Sequence, residues 1–197
     1  MLPIFKVKQS GFTLVELLVA IIVSSILITS TISTYSLFRR SLTQDQARSD
    51  VAQSGRVAME RLTRDIRQTP TIVTDMPADP SDNSVAEPNE LEFEDGNAED
   101  LSYRRYYLSG TTLKLQTKDY HFLDGSGHQT GSRVPYDQVD GAGHLPTATV
   151  LSDQDISYNI TSFAVYGYRP LSIYLTISDP ASLQTYKLRT SVTGRNI

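Results

Sequence analysis

GFTLVE (residues 11–16) and the apolar run that follows it to Phe38 determine what the rest of the chain can be. Between Leu17 and Phe38 there is no Asp, Glu, Lys or Arg. About 20 consecutive apolar residues in a helix cross the hydrocarbon core of a bilayer. Glu16 lies just inside the run, where a carboxylate costs about 2–3 kcal/mol at the helix centre and less near its end. The sequence therefore predicts a membrane-spanning helix whose acidic group needs a partner.

Three interpretations of this N-terminus are open on the residues alone. A secretory signal has a basic region, an apolar core of about 7–15 residues and a small-residue cleavage site. Lys6 and Lys8 supply the basic region, but the core here is longer, contains Glu16 and lacks a clear A-x-A site. A signal anchor explains the length, but not Glu16 or the Gly11-Phe12 pair. In the third interpretation the chain is cut before the apolar run, which stays in the mature protein.

The decapeptide KQSGFTLVEL, at residues 8–17, resembles the N-terminus of the type IV prepilin family. Its members have a short basic leader that ends in Gly, then an apolar residue, Thr-Leu-hydrophobic-Glu and an apolar helix. The resemblance implies cleavage between Gly11 and Phe12 and methylation of the new Phe12 amine by a prepilin peptidase/N-methyltransferase. It also implies that Glu16 pairs with the amine of a neighbouring pilin or pseudopilin during assembly. On the residues alone, Glu16 bonding its own subunit's amine remains the alternative.

The helix is predicted to continue beyond the membrane. Residues 39–68 contain no proline, and Thr69-Pro70 ends the helix because proline disfavours a helical conformation in the preceding residue. One helix, Leu14–Gln68, would be about 80 Å long at 1.5 Å per residue. Small and apolar residues recur every three or four positions in its second half and predict a buried face: Val51, Gly55, Ala58, Leu62 and Ile66.

Hydroxyl side chains are dense in the apolar half of this helix. Small and hydroxyl side chains allow membrane helices to approach each other closely. Alternatively, each hydroxyl bonds a backbone carbonyl of its own helix and simply tolerates lipid. The residues are Ser24, Ser25, Thr29, Ser30, Thr31, Ser33, Thr34 and Ser36.

Charge is unevenly distributed along the chain, whose formal net charge is -4. Residues 39–68 are rich in arginine, whereas residues 71–100 contain acidic residues and no basic ones. On the outer face of the helix we expect i,i+4 ion pairs, Glu60–Arg64 and Arg61–Asp65. The negative balance argues against a nucleic-acid-binding surface.

Beyond a proline-rich loop at residues 70–90 the pattern changes to period two. Asp95-Gly96-Asn97 predicts a turn, and residues 125–143 predict a long Gly/Ser loop. One long helix followed by many strands predicts an α+β fold with a largely antiparallel sheet, covered on one face by the amphipathic half of the helix. The predicted strands are Glu90–Glu94, Leu101–Leu108, Leu113–Leu115, Val150–Ile160, Phe163–Tyr168, Ser172–Ser178 and Leu183–Val192.

The globular part shows no pattern typical of catalysis or metal binding. His121, His128 and His144 lie in or beside the Gly-rich loop at spacings that match no zinc motif, and the chain has no cysteine. Its acidic loops lack EF-hand spacing. YRRYY at residues 103–107 interleaves arginine with tyrosine, but as a strand it is expected to supply half-exposed sheet residues rather than a nucleic-acid surface. We therefore expect no enzyme activity, cofactor, metal ion or nucleic-acid partner.

A second resemblance concerns GRVAMERLTRDIRQ at residues 55–68, which is similar to the helix end of W-type minor pilins and J-type minor pseudopilins of type II secretion. The strand pattern near the C-terminus and the final Arg195-Asn196 are similar as well. This implies a minor subunit of a type IV pilus or a secretion pseudopilus, in a priming or tip complex with other pilins or pseudopilins. The absence of proline between Pro3 and Pro70 also argues against a bulk subunit.

The predicted organisation is a cleaved leader at 1–11, a membrane and filament-core helix at 12–38, its amphipathic continuation at 39–69, and a β-rich domain at 70–197. The resemblance implies anchoring in the bacterial inner membrane with the C-terminal domain outside the cytoplasm. The alternative function is that of a pilin-like adhesin or DNA-uptake receptor presenting the loop at 124–143.

Overall fold

The structure, a computed structural model, describes residues 11–82, 88–97, 100–179 and 184–194. The first ten residues of the predicted leader and the Arg195-Asn196 pair lie outside the described residues. The chain divides into two compact units, one up to Gln46 and one from Ala47 onward. The elements follow in the order α1 (Leu14–Gln68), β1 (Glu90–Glu94), β2 (Tyr103–Ser109), β3 (Thr112–Leu123), β4 (Gln129–Thr130), β5 (Thr147–Ser157), β6 (Ile160–Tyr166), β7 (Leu171–Ser178) and β8 (Thr185–Val192).

The predicted helix is confirmed at both ends, since α1 has 55 residues and runs from Leu14 to Gln68. Beyond its last turn, the hydroxyl of Thr69 donates to the backbone carbonyls of Thr71 and Glu94. Gly96, in the predicted turn, has a φ of 76°, and a Cβ on it would lie 2.2 Å from the Gln68 carbonyl oxygen. Glycine at this position therefore allows the end of β1 to approach the end of the helix.

The strands form two sheets, and all the strand pairs of the described residues are antiparallel. In the first sheet the order is β1-β2-β3, and both β4 and β5 pair with β3. The second sheet has the order β6-β7-β8. The α+β fold with antiparallel pairing is confirmed, although its strands are divided between two sheets.

Two predicted strand boundaries are wrong. β3 continues to Leu123 instead of ending near Leu115, because its second half pairs with β5 although buried polar residues interrupt the alternation of its sequence. The predicted strand Val150–Ile160 is divided between β5 and β6, since Asn159 adopts a positive φ of 63° and turns the chain. The predicted start of the last strand, Leu183, lies outside the described residues.

The core of the second unit joins the C-terminal part of α1 to both sheets. The predicted helix face is confirmed: Ala58, Leu62 and Ile66 are buried in one cluster, and Val51 packs against its margin. At Gly55, an added Cβ would lie 1.9 Å from the Cδ1 atom of Ile177, so a glycine allows the helix to approach β7. The sheets contribute a larger set of buried residues: Leu91, Phe93, Tyr106, Leu113, Leu115, Ile160, Phe163, Val165, Leu171, Ile173, Leu175, Ile177 and Val192.

One predicted ion pair of the helix is wrong. Asp65 does not lie on the outer face with Arg61, because its side chain is buried between α1 and β2. The Tyr106 hydroxyl donates to its Oδ2 atom over 2.7 Å, and Arg104 Nη1 lies 2.7 Å from its Oδ1 atom. Glu60 and Arg64 do meet, at 3.8 Å, with both side chains largely exposed.

The YRRYY segment is more buried than its pattern predicts. Tyr103 and Tyr106 are fully buried, so the expectation of half-exposed tyrosines is wrong for both. The ring of Tyr103 packs edge-on against Tyr120, with centroids 5.0 Å apart, and lies 5.9 Å from that of Tyr136. The loop that carries Tyr136 therefore covers this end of the sheet.

Candidate functional site

The N-terminal unit exposes an apolar helix surface. All residues from Gly11 to Gln46 are exposed, including large side chains such as Ile21 and Leu27. α1 contains a segment that is long and apolar enough to cross a membrane. A contiguous apolar surface of this kind marks contact with lipid or with other proteins.

The Gly11–Phe12 peptide bond lies immediately before this helix. Both residues are exposed, and 88% of the Phe12 surface is accessible. A Cβ added to Gly11 would have no heavy atom within 4 Å besides its chain neighbours. Both predicted processing residues thus lie in exposed backbone that is not helical.

Glu16 is held by Thr13 at the first turn of α1. Its Oε2 atom accepts hydrogen bonds from the backbone N–H of Thr13 at 2.9 Å and from the Thr13 hydroxyl at 2.8 Å. In return, the Glu16 N–H donates to the Thr13 hydroxyl oxygen over 3.3 Å. This reciprocal arrangement is a capping box, in which the residue before the helix and the third helical residue satisfy each other's backbone donors.

Sequence reasoning missed Thr13 as the partner of Glu16. The signal was present, because Thr-x-x-Glu before an apolar run is the sequence pattern of a capping box. In the uncut chain Glu16 bonds Thr13, and a bond between Glu16 and its own Phe12 amine after cleavage stays a prediction. Both bonds end on one carboxylate oxygen, Oε2.

The hydroxyls of the apolar half bond their own helix. Six of the eight donate to the backbone carbonyl four residues earlier at 2.8–2.9 Å, and this agrees with the second of the two interpretations of these residues. They are Ser25, Thr29, Thr31, Ser33, Thr34 and Ser36.

The long loop contains two copies of one turn, DGSGH at residues 124–128 and DGAGH at residues 140–144. In each, one aspartate oxygen accepts the backbone N–H groups of the third and fifth residues at 2.8–2.9 Å. These donors lower the pKa of Asp124 and of Asp140. The exposed imidazoles of His128 and His144 each lie beside the aspartate of their own turn. Sequence reasoning missed this repeat, although the two identical spacings were its signal.

The predicted histidines are not brought together. His121 is buried beside Asp119, with 3.2 Å between Nε2 and Oδ2, whereas His128 and His144 belong to the two separate turns. In the part of the chain that the structure describes, no three His, Asp or Glu side chains form a group that could hold a metal ion.

The N-terminal part of the chain matches a known protein family model. Residues 6–32 match the prokaryotic N-terminal methylation motif. The motif is type IV prepilin-like and includes Gly11, Phe12, Glu16 and most of the apolar half of α1. Together with the exposed apolar helix, it fits anchoring in the inner membrane and suggests a structural subunit rather than an enzyme. No curated protein matches the chain.

Proposed function

We propose that the chain is a minor pilin or pseudopilin, a structural subunit held in the inner membrane by its N-terminal helix and assembled into a type IV pilus or a type II secretion pseudopilus. The observation that carries the proposal is the match of residues 6–32 to the methylation motif. The exposed apolar helix and the antiparallel sheets agree with such a subunit.

In this proposal a prepilin peptidase cuts the bond between Gly11 and Phe12, and the new amine of Phe12 is methylated. The open backbone at the two residues supports access of the peptidase. Intact-mass spectrometry of the protein isolated from membranes tests this step. We expect the mass of the chain from Phe12 onward with one added methyl group, and a full-length mass would contradict the proposal.

Substitutions at Gly11 provide a matched pair for the same measurement. We expect Gly11→Ala to be processed, with at most a slower rate, whereas Gly11→Leu should retain the leader. The physical reason is that the peptidase must approach the backbone at this residue, and a bulky side chain obstructs that approach. Equal processing of both variants would show that the size of residue 11 does not matter.

Glu16 is proposed to pair with the Phe12 amine of a neighbouring subunit. Its capping bonds to Thr13 occupy one oxygen of the carboxylate, Oε2, while the subunit is alone in the membrane. They do not neutralise its charge, which a positive amine of a second helix would do in a low-dielectric environment. Because an unpaired charge is costly there, the pair would fix the register of an entering subunit.

The variant Glu16→Gln distinguishes the capping role of this side chain from the role of its negative charge. Glutamine also serves in capping boxes, so this variant keeps the helix start while it removes the negative charge. We expect Glu16→Ala and Glu16→Gln to be cleaved and to remain in the membrane, but to be missing from sheared filaments. Normal incorporation of Glu16→Gln would exclude the pairing and leave capping as the role of this residue.

Thr13 offers the complementary pair of variants. Thr13→Ala removes the hydroxyl and should weaken the first turn by about 1 kcal/mol, whereas Thr13→Ser retains the cap. We expect incorporation of both variants into filaments, with a frayed helix start in Thr13→Ala, measured by amide hydrogen exchange of residues 14–17. A loss of assembly in Thr13→Ala alone would show that the cap itself is required.

The minor role is supported by the resemblance of residues 55–68 and by the proline-free run before Pro70. It predicts that sheared filaments contain far fewer copies of this chain than of the main subunit, as measured by quantitative mass spectrometry. Equal or higher abundance would identify a bulk subunit instead.

The receptor function is a second candidate, favoured by the two exposed DGxGH turns at residues 124–128 and 140–144. It predicts that filaments lose binding to DNA or to a host surface when both turns are replaced by Gly/Ser sequences of equal length. Replacement of the β2–β3 turn at Gly110-Thr111 is the control. Unchanged binding would exclude this function.

A further inference from the structure

β5 is an outer strand of the first sheet and is paired along one side. It bonds β3, and among the described residues no other strand pairs with it. Most of its residues are exposed. An outer strand presents a row of backbone N–H and C=O groups that have no partner in the protein. The side of β5 that is turned away from β3, between Thr147 and Ser152, is called the β5 edge below.

The register of β5 on β3 shows which backbone groups point to the β5 edge. The Val134 N–H donates to the Tyr120 carbonyl over 2.9 Å, so this carbonyl points away from β5. Tyr120 lies opposite Ala148, and hydrogen-bonded pairs of an antiparallel ladder alternate with pairs whose backbone groups point away from each other. The N–H and C=O groups of Ala148 therefore point outward. Those of Val150 do the same, because strand geometry repeats every two residues.

The side chains along the β5 edge carry no charge. TATVLS, at residues 147–152, contains no Asp, Glu, Lys or Arg. Val150 and Leu151 are about half exposed, at 52% and 49%. Threonine and valine favour strands, and exposed apolar side chains on an outer strand favour pairing with an added strand. The β5 edge thus offers a partner both backbone bonds and apolar contacts.

Two other outer strands are protected against added pairing. The segment before β1 covers that strand, since the N–H groups of Val73 and Thr74 both donate to the Glu92 carbonyl. β8 carries Lys187 and Arg189, whose side chains are exposed. Covering segments and edge charges are the usual means by which proteins prevent pairing with another chain. The β5 edge has neither of these in the part of the chain that the structure describes, so it is suited to accept a strand.

The strand becomes acidic beyond the β5 edge. Lys114 Nζ lies 4.0 Å from Asp153 Oδ2 and 3.2 Å from Asp155 Oδ1. Two carboxylates that share one cation leave negative charge at this end of β5. A strand that adds antiparallel to β5 would bring its own N-terminal end to this charge. Positive residues at that end would therefore favour one direction of binding.

We propose that the β5 edge binds an extended segment of a different subunit of the filament, which adds to the first sheet as an antiparallel strand. Backbone bonds to Ala148 and Val150 would supply affinity, as in other cases of strand addition. The segment would be rich in apolar or β-branched residues, with lysine or arginine towards its N-terminal end. This inference rests on the proposed function, because a minor subunit has other subunits as its neighbours, and it deepens that function by naming the surface that they contact.

A synthetic peptide tests the chemistry of the β5 edge without a filament. The probe is a fluorescein-labelled peptide of alternating threonine and valine with two lysines at its N-terminal end. The full chain in mild detergent is titrated against it, with fluorescence anisotropy as the measurement. A peptide with the lysines at its C-terminal end is the control, and we expect it to bind roughly tenfold more weakly. Equal affinities, or no binding of the first peptide, would overturn the proposal.

Val150→Lys and Val139→Lys form a matched pair for the same titration. Both valines are more than half exposed, so both variants should fold, and an unchanged Tm checks this. Lysine on an outer strand opposes the addition of another strand, whereas residue 139 lies in the loop before β5. We expect Val150→Lys to weaken peptide binding roughly tenfold and Val139→Lys to leave it unchanged. Equal effects of the two variants would overturn the proposal.

Amide hydrogen exchange tests the proposed setting. The Ala148 and Val150 N–H groups should exchange quickly in the purified chain and roughly a hundredfold more slowly in tagged chain recovered from sheared filaments. The Thr149 N–H, which points to β3, is the internal control and should exchange slowly in both samples.

Rapid exchange of Ala148 and Val150 in filaments that contain the chain would overturn the docking proposal alone. Slow exchange of both in the purified chain would also overturn it, because two copies of this chain would then cover each other's β5 edge. Absence of the chain from filaments would instead contradict the proposed function and, with it, the partner named here. The two failures are therefore distinct results.

Discussion

Tyr106→Phe tests the buried contact between α1 and the first sheet. The Tyr106 side chain is fully buried, and its hydroxyl donates to Asp65 Oδ2 over 2.7 Å. Burial, followed by the charge of Asp65, raises the pKa of Tyr106, so the phenol stays protonated and remains a donor. A hydrogen bond to a charged group contributes about 1.5–3 kcal/mol. Because Arg104 would still neutralise the carboxylate, we expect a loss of about 2 kcal/mol in the free energy of unfolding.

The neighbouring Tyr107→Phe is the matched control. Its hydroxyl donates to the exposed Asp153 over 2.9 Å, so its removal should cost less than about 0.5 kcal/mol. Thermal unfolding of the full chain in mild detergent, followed by near-ultraviolet circular dichroism, distinguishes the two. A loss of about 2 kcal/mol corresponds to a decrease of about 4–8 °C in Tm for a chain of this size. Equal decreases in both variants would refute a special contribution from the contact with Asp65.

Three further predictions concern the second unit. Gly55→Ala should lower its stability by about 1–3 kcal/mol, because the new methyl group overlaps the Cδ1 atom of Ile177. Leu62→Asp should lower it by more than about 4 kcal/mol, because it buries an unpaired charge in the core. The lowered pKa values of Asp124 and Asp140 mean that the two turns are stabilised above the unfolded carboxyl pKa of about 4, and that this stabilisation is lost as the pH falls through the folded values.

Exposed positions of the same helix provide the controls. Gln53→Ala and Val57→Asp are the counterparts of the two core substitutions, and neither should shift Tm by more than about 2 °C. For the turns, amide hydrogen exchange should accelerate on acidification at residues 126 and 128, whose N–H groups bond Asp124. Exchange independent of pH, after correction for its intrinsic rate, would show that these carboxylates do not stabilise the turn.

The helix could be predicted from the sequence because local signals define its length. The apolar run and the three-to-four spacing that ends at Ile66 determine the interior, and Pro70 determines the end. Strands were recognised where polar and apolar residues alternate, as in β1. The second half of β3 was missed because buried polar residues interrupt that alternation, and Asp119 and His121 are examples.

Partners that are distant in sequence could not be inferred in the same way. Asp65 has the composition of a surface residue, and only the fold brings Arg104 and Tyr106 against it. For the candidate site, the need of Glu16 for a partner was predicted, but the partner was expected on another helix or at the chain terminus. Its cap, Thr13, lies three residues away and depends only on local backbone geometry.

The hydroxyl bonds within α1 affect whether the apolar helix requires particular polar groups on the molecules around it. A serine or threonine whose proton already bonds its own backbone, as in Ser25 and Thr29, does not require an acceptor from a neighbouring molecule. The free energy of moving such a helix from lipid to protein then depends on shape and dispersion contacts rather than on matched polar groups. A helix of this kind can slide, rotate and exchange neighbours without breaking directional bonds. Glu16 carries the only charged side chain between Gly11 and Phe38, and in the proposed function its carboxylate is the group that fixes a position along a neighbouring helix.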